Sequence, residues 1–77
     1  MQKVKELSVG DRAEIVGYEK GEGGYRQKLL SMGLTRGTPF TLKKIAPMGD
    51  PIDIEVRGYQ LTLRKAEADA LKIRRLS

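Results

Sequence analysis

Asp53 and Glu55 are the two residues of this 77-residue chain whose spacing best suits joint chemistry. They alternate with Ile52, Ile54 and Val56, and in a strand that alternation points both carboxylates to one face. Such a pair could approach a hard cation or divide acid and base work. The same alternation, however, gives the apolar residues the face that packs on a core and leaves the carboxylates on a solvated exterior. The chain lends them little support. It has no histidine and no cysteine, so the usual general base, thiolate nucleophile and soft metal ligands are missing. Asp50 could add a third oxygen donor, but oxygen ligands alone hold a divalent transition metal weakly. Asp11, Asp50 and Asp69 each fall in or near turns, where an aspartate bonds local backbone. The expectation is no enzyme, no cofactor and no metal-ligating set.

Two other features could carry chemistry. Gly21-Glu22-Gly23-Gly24 has the composition of a phosphate-cradling loop, but the lysine and hydroxyl spacing of that motif is absent, as is the dinucleotide fingerprint. Tyr18, Tyr25, Met32 and Met48 are candidate apolar contacts at loop or helix positions. Met48 lies between Pro47 and Gly49 in an otherwise polar turn, so it is expected to be exposed, and methionine adapts readily to a partner surface. Tyr25 and Met32 equally fit burial beneath their own helix.

These residues need elements to position them. Leu7 to Asp11 reads as an entry turn, and Ala13 to Tyr18 as a first strand with Ala13 and Ile15 on one face. Tyr25, Leu29 and Met32 repeat at helical spacing over Tyr25 to Met32. Gly33 then stands where a left-handed residue ends a helix, and Leu34 would fold back onto Leu29 in a Schellman ending. Phe40 to Ile45 begins as a strand, and Ile45 breaks the alternation, which predicts a bulge around Lys43-Lys44. Pro47 to Pro51 is a turn. Ile52, Ile54 and Val56 face Leu63, Leu61 and Tyr59 across a two-residue turn at Arg57-Gly58, so all six should share one face of a hairpin. Slipping that register by one residue would move the whole set into water. Lys65 to Ala70 is a short helical turn, and Leu71 and Ile73 mark a closing strand.

Five short strands with one or two short helices fit one mainly β domain over residues 1–77, a small SH3-like barrel whose closure hides its sheet edges. A five-stranded barrel of the oligonucleotide-binding type is the alternative. So small a barrel is filled by its own side chains, which leaves the exterior for function. With no cysteine there is no disulfide to staple the fold, and a reducing cytosol is the simpler setting. The first seven residues carry no signal-peptide run, and no stretch approaches the about 20 apolar residues of a membrane span. Fifteen basic and ten acidic residues leave a net charge of +5. That invites a nucleic-acid reading, yet the basic residues come in pairs (Lys43-Lys44, Arg64-Lys65, Arg74-Arg75), and only one Phe and three Tyr could stack on bases. An acidic protein or an anionic surface fits that charge equally well.

Three stretches together resemble a known family. Tyr25 to Leu34 with Gly37, Ala46 to Ile52, and Leu61 to Lys65 are similar to the ferrous iron transport protein A family, FeoA, and the similarity runs from about Leu7 to Ile73. It implies an SH3-like barrel with a short helical insertion. It further implies a cytoplasmic accessory that partners the cytoplasmic region of a FeoB-type membrane transporter, whose N-terminal domain binds GTP. The partner-binding residues expected on this reading are Tyr25, Arg26, Met32, Met48 and Asp50. Arg26 could act as an arginine finger on that GTPase, or be an ordinary solvated helix arginine. Self-association is a further possibility, nucleic acid is not an expected partner, and a basic nucleic-acid-binding barrel is the alternative function. A domain that senses ferrous iron through Asp53 and Glu55 is a third reading.

Overall fold

The structure is a computed structural model that describes residues 2–20 and 24–77. Gly21, Glu22 and Gly23, most of the glycine loop singled out above, lie outside the described residues. The elements are β1 (Arg12–Tyr18), α1 (Tyr25–Ser31), β2 (Pro39–Ile45), β3 (Ile52–Val56), β4 (Tyr59–Leu63), α2 (Lys65–Asp69) and β5 (Leu71–Arg75). All strand pairs are antiparallel, in the order β4-β3-β2-β1-β5. The fold is mainly β, a five-stranded sheet with two short helices. One cluster of fifteen buried apolar residues draws on every strand, both helices and the N-terminal turn.

The β3–β4 hairpin forms in the expected register: Val56 faces Tyr59, Ile54 faces Leu61 and Ile52 faces Leu63. Arg57 (φ 51°) and Gly58 (φ 83°) both take positive φ, the backbone that matches strand twist in a two-residue hairpin turn. Four of the six side chains expected on the core face are buried there; Leu61 is only partly buried and Tyr59 is exposed. β4 is an edge strand, so its far end leaves the core, and the phenol of Tyr59 turns to a hydrogen bond with the Met32 carbonyl (3.1 Å).

The bulge in β2 falls where expected. Leu42 pairs with Ile54 but Lys44 pairs with Asp53, which leaves Lys43 as the extra residue. Phe40 and Leu42 are buried before the bulge, while Ile45 after it is 42% exposed. A second bulge falls between Ile15 and Gly17 of β1 against β5; its signal is the glycine inside the strand, which the alternation of Ala13, Ile15 and Gly17 masks. The N-terminus also departs from expectation. Val4–Glu6 forms a 3₁₀ turn ahead of the entry turn, closed by the Lys3 N–H on Glu6 Oε1 (2.7 Å), and it buries Val4 and Leu7. Gln2 bridges to Ile73, so the N-terminal segment covers part of the β5 edge, as an unpaired sheet edge requires.

α1 ends in the expected Schellman motif. The Leu34 N–H reaches the Leu29 carbonyl (3.0 Å), the Gly33 N–H reaches that of Leu30 (3.0 Å), and Gly33 has φ 87°. Leu29 and Leu34 meet in the core with no exposed surface, each burial stabilising by about 1.5–3 kcal/mol. The hairpin tip completes the cap: Arg57 donates to the Gly33 carbonyl (3.0 Å) and to Thr38 Oγ1 (3.2 Å). A Cβ at Gly33 would stand 3.0 Å from the Tyr59 hydroxyl and 3.2 Å from Arg57 Nη1. Gly33→Ala therefore meets an unfavourable φ and a crowded cap at once, and is expected to lower stability by about 1–3 kcal/mol in urea unfolding. An unchanged midpoint would show that this ending is not under the constraint described.

Candidate functional site

The core is filled, and the clearest concavity lies on the exterior, a largely apolar groove of about 250 Å³. Val4 and Lys5 of the 3₁₀ turn form one side, and Lys65, Ala68 and Asp69 of α2 form another. Leu42 and Ile52 supply the buried floor, and Ile45, Met48 and Gly49 the lip. Ile45 faces it because the Lys43 bulge takes that end of β2 out of the alternation that buried Phe40 and Leu42.

Met48 is 98% exposed and sits at φ 75°, ψ 2°. A residue with a Cβ costs about 1–2 kcal/mol in that left-handed region. The 3₁₀ turn Pro47–Gly49 thus holds a large apolar side chain in water on a strained backbone. Two contacts fix the turn and α2 in place. Asp50 Oδ1 accepts the Lys65 N–H at the first residue of α2 (2.9 Å), which ties the lip to the helix. Glu67, only 4% exposed, folds back on its own helix and accepts the Arg64 N–H (2.9 Å). Its other oxygen pairs with Lys28 of α1. The Lys28 hydrogen bond, then that from Arg64, hold the Glu67 carboxyl below the usual carboxylate range against the opposing effect of burial.

The end of α2 is tied to the N-terminal segment. Lys3 donates to the Asp69 carbonyl (2.8 Å) and to Glu19 (2.5 Å), and Lys72 stands 3.6 Å from the same carboxylate. The Lys3 hydrogen bond is the largest cause of the lowered pKa of Glu19. On α1, the Arg26 guanidinium lies over the Tyr18 ring, 5.9 Å from its centroid, within cation–π range. The Tyr18 hydroxyl donates to the Leu34 carbonyl (2.6 Å). Burial raises the pKa of that phenol, and the charges of Arg36 and Arg26 act the other way, so it stays a neutral donor.

With this geometry described, comparison with known proteins places the chain. The family model for the FeoA domain matches residues 2–75. The chain belongs to the FeoA family. A solution structure of a FeoA-like protein from Clostridium acetobutylicum is 36% identical and superposes with a TM-score of 0.86, covering 100% of this chain and 92% of that one. A fusion of Fe(2+) transport protein A with the Fe(2+) transporter FeoB, from Porphyromonas gingivalis, is 33% identical over 75 residues. The match takes in 97% of this chain and 9% of that much longer protein. The crystal structure of FeoA from Stenotrophomonas maltophilia, called a prokaryotic SH3 domain protein, superposes with a TM-score of 0.79 at 18% identity, over 96% of this chain and 91% of that one. That likeness supports the SH3-like fold alone.

Within this FeoA domain the expected partner-binding residues divide between two places. Met48 lines the groove, and Asp50 stands beside it as the residue that links the lip to α2. Tyr25 and Met32 are half-buried against the core, and Arg26 is exposed on α1 over Tyr18. None of these three lines the groove. Asp53 and Glu55 are engaged with their own sheet: Asp53 accepts from Gln60 (3.0 Å) and Thr62 (2.8 Å), and Glu55 lies 3.9 Å from Lys43. Among the described residues no three Asp or Glu gather as a metal could use. Sequence reading missed Lys5, Ile45 and Glu67. Glu67 had a signal, its place three residues after Arg64 at the mouth of a helix. The groove had none, since the N-terminal turn and α2 meet only in the folded chain.

Two outcomes follow. The lowered pKa of Glu67 means that its contribution is present above the unfolded carboxylate value, about 4.3, and is lost as pH falls through the lower folded value. Glu67→Gln should cost about 1 kcal/mol at neutral pH and flatten the acid limb of a plot of stability against pH. An acid limb identical to that of the parent chain would remove this role. Met48→Gly should hold or raise the melting temperature, by up to about 1 kcal/mol of stability, because glycine accepts that φ freely. A clear fall would mean that Met48 packs on something in the folded monomer.

Proposed function

We propose that this chain is an accessory of ferrous iron uptake that works by docking onto the cytoplasmic GTP-binding region of a FeoB-type transporter. The observation that carries the reading is the Porphyromonas gingivalis relative, in which a segment matching 97% of this chain is part of one polypeptide with the transporter. Joining two partners in one chain raises their effective concentration to the order of millimolar, which suits modules that act side by side. The geometry agrees. One cluster of buried apolar residues fills the space between the sheet and both helices. The exterior carries a groove with a strained, exposed methionine at its lip. A chain of this kind acts through its surface, on the cytoplasmic face where the nucleotide domain lies.

The test is a titration of the folded chain against the cytoplasmic region of a FeoB-type transporter from the same organism, without nucleotide, with GDP and with a GTP analogue. Saturable binding in at least one state is expected, and no binding in any of the three would end this reading. Met48→Ala and Arg26→Ala then ask which face docks. Truncating a central contact costs about 1 kcal/mol or more, roughly five-fold in Kd, and the larger loss is expected at Met48. A loss confined to Arg26→Ala, accompanied by lost stimulation of GTP hydrolysis, would instead assign the α1 face and the arginine-finger role.

A further inference from the structure

We infer that the groove between the N-terminal turn, the Met48 turn and α2 receives a short apolar segment flanked by carboxylates, contributed by the protein partner. The inference rests on the docking role proposed above and names the surface and the chemistry of what it holds. Three observations converge on it. The groove has an apolar floor and lip but only about 250 Å³ of space, below the about 300–1,000 Å³ of pockets that enclose a cofactor or drug-sized molecule. That volume seats one or two side chains of a chain lying across the surface, as in helix-in-groove recognition.

The second observation is charge. Lys5 and Lys65 both line the groove and are exposed, and neither forms an ion pair among the described residues. They share that state with seven other basic residues, and what sets them apart is their place on the lining of an apolar groove. Among the described residues Asp69 is the single acid on the groove wall. Two free ammonium groups on the lining of an apolar trough complement carboxylates that flank an apolar anchor, and such charge pairing sets register. The third observation is Met48. Its backbone holds a costly φ and its side chain gains no burial in return. Residues kept in sparsely populated backbone regions concentrate at ligand clamps, and an unbranched thioether at the lip can fold over whatever apolar group enters.

The test has two arms. In the first, the labelled chain is titrated at low salt with a synthetic peptide carrying a central leucine pair flanked by glutamates. Parallel titrations use the peptide with lysine for glutamate, the peptide with serine for leucine, and laurate. Amide shifts are expected around Lys5, Ile45 to Gly49 and Lys65 to Asp69 with the acidic apolar peptide, and binding about ten-fold weaker or worse with either altered peptide. Equal binding of the basic peptide, silence at those amides, or a tighter response to laurate would overturn the inference, the last in favour of a lipid. In the second arm, the double variant Lys5→Glu, Lys65→Glu and the single variant Met48→Gly meet the transporter region. Both are surface changes, and their folding is checked by circular dichroism. A loss of about ten-fold or more supports the groove. Binding at the parent level with both variants overturns the groove while leaving the association intact. Peptide binding without transporter binding does the reverse.

Discussion

A buried carboxylate holds together the part of this fold that hydrogen-bonded strands do not. The sheet runs from β4 at one edge to β5 at the other, and the five residues of α2 are the link between them. A helix that short has almost no stability of its own. Glu67 supplies the missing constraint by closing the first turn on Arg64 and pairing with Lys28 of α1. Asp50 adds a hydrogen bond to the first residue from outside. Neither contact would matter on a long helix. Here they decide whether Ala68 lies in the core and whether Lys65 and Asp69 face the groove.

The two short helices divide two tasks between them. α1 is a core element: its C-terminal carbonyls are taken up by the Schellman bonds and by Arg57 and Tyr59 of the hairpin, so little about it is free to change. α2 and the Met48 turn instead carry exposed apolar and cationic groups on a backbone that is fixed but not relaxed. Strain at Met48 is tolerable because the core elsewhere is tightly packed.

Much of this was legible in the chain of residues, for local reasons. Alternation fixed the β3–β4 register, since a slip of one would expose Ile52, Ile54, Val56 and Leu63 together. Gly33 followed by Leu34 announced the end of α1, and the break at Ile45 announced the bulge. What escaped was non-local. Tyr59 obeyed the alternation but left the core, because an edge strand is covered on one side only. Val4 looked like part of a featureless leader, because its burial depends on α2, more than sixty residues away. Glu67 had a local signal as a helix-capping acid, but its pairing with Lys28 of α1 did not show in its neighbours. Met48 was read as exposed from its polar surroundings, but nothing in its neighbours disclosed the positive φ or the groove it borders.

Size sets the last constraint on how the surface is used. The chain exposes 4812 Å² in all, and a standard interface takes about 800 Å² from each partner, about one-sixth of that surface. A groove that seats one or two side chains cannot supply such an area alone. On the docking role proposed above it would supply direction and selectivity, while the surrounding charge, with six basic residues already matched to carboxylates, would contribute steering more than affinity.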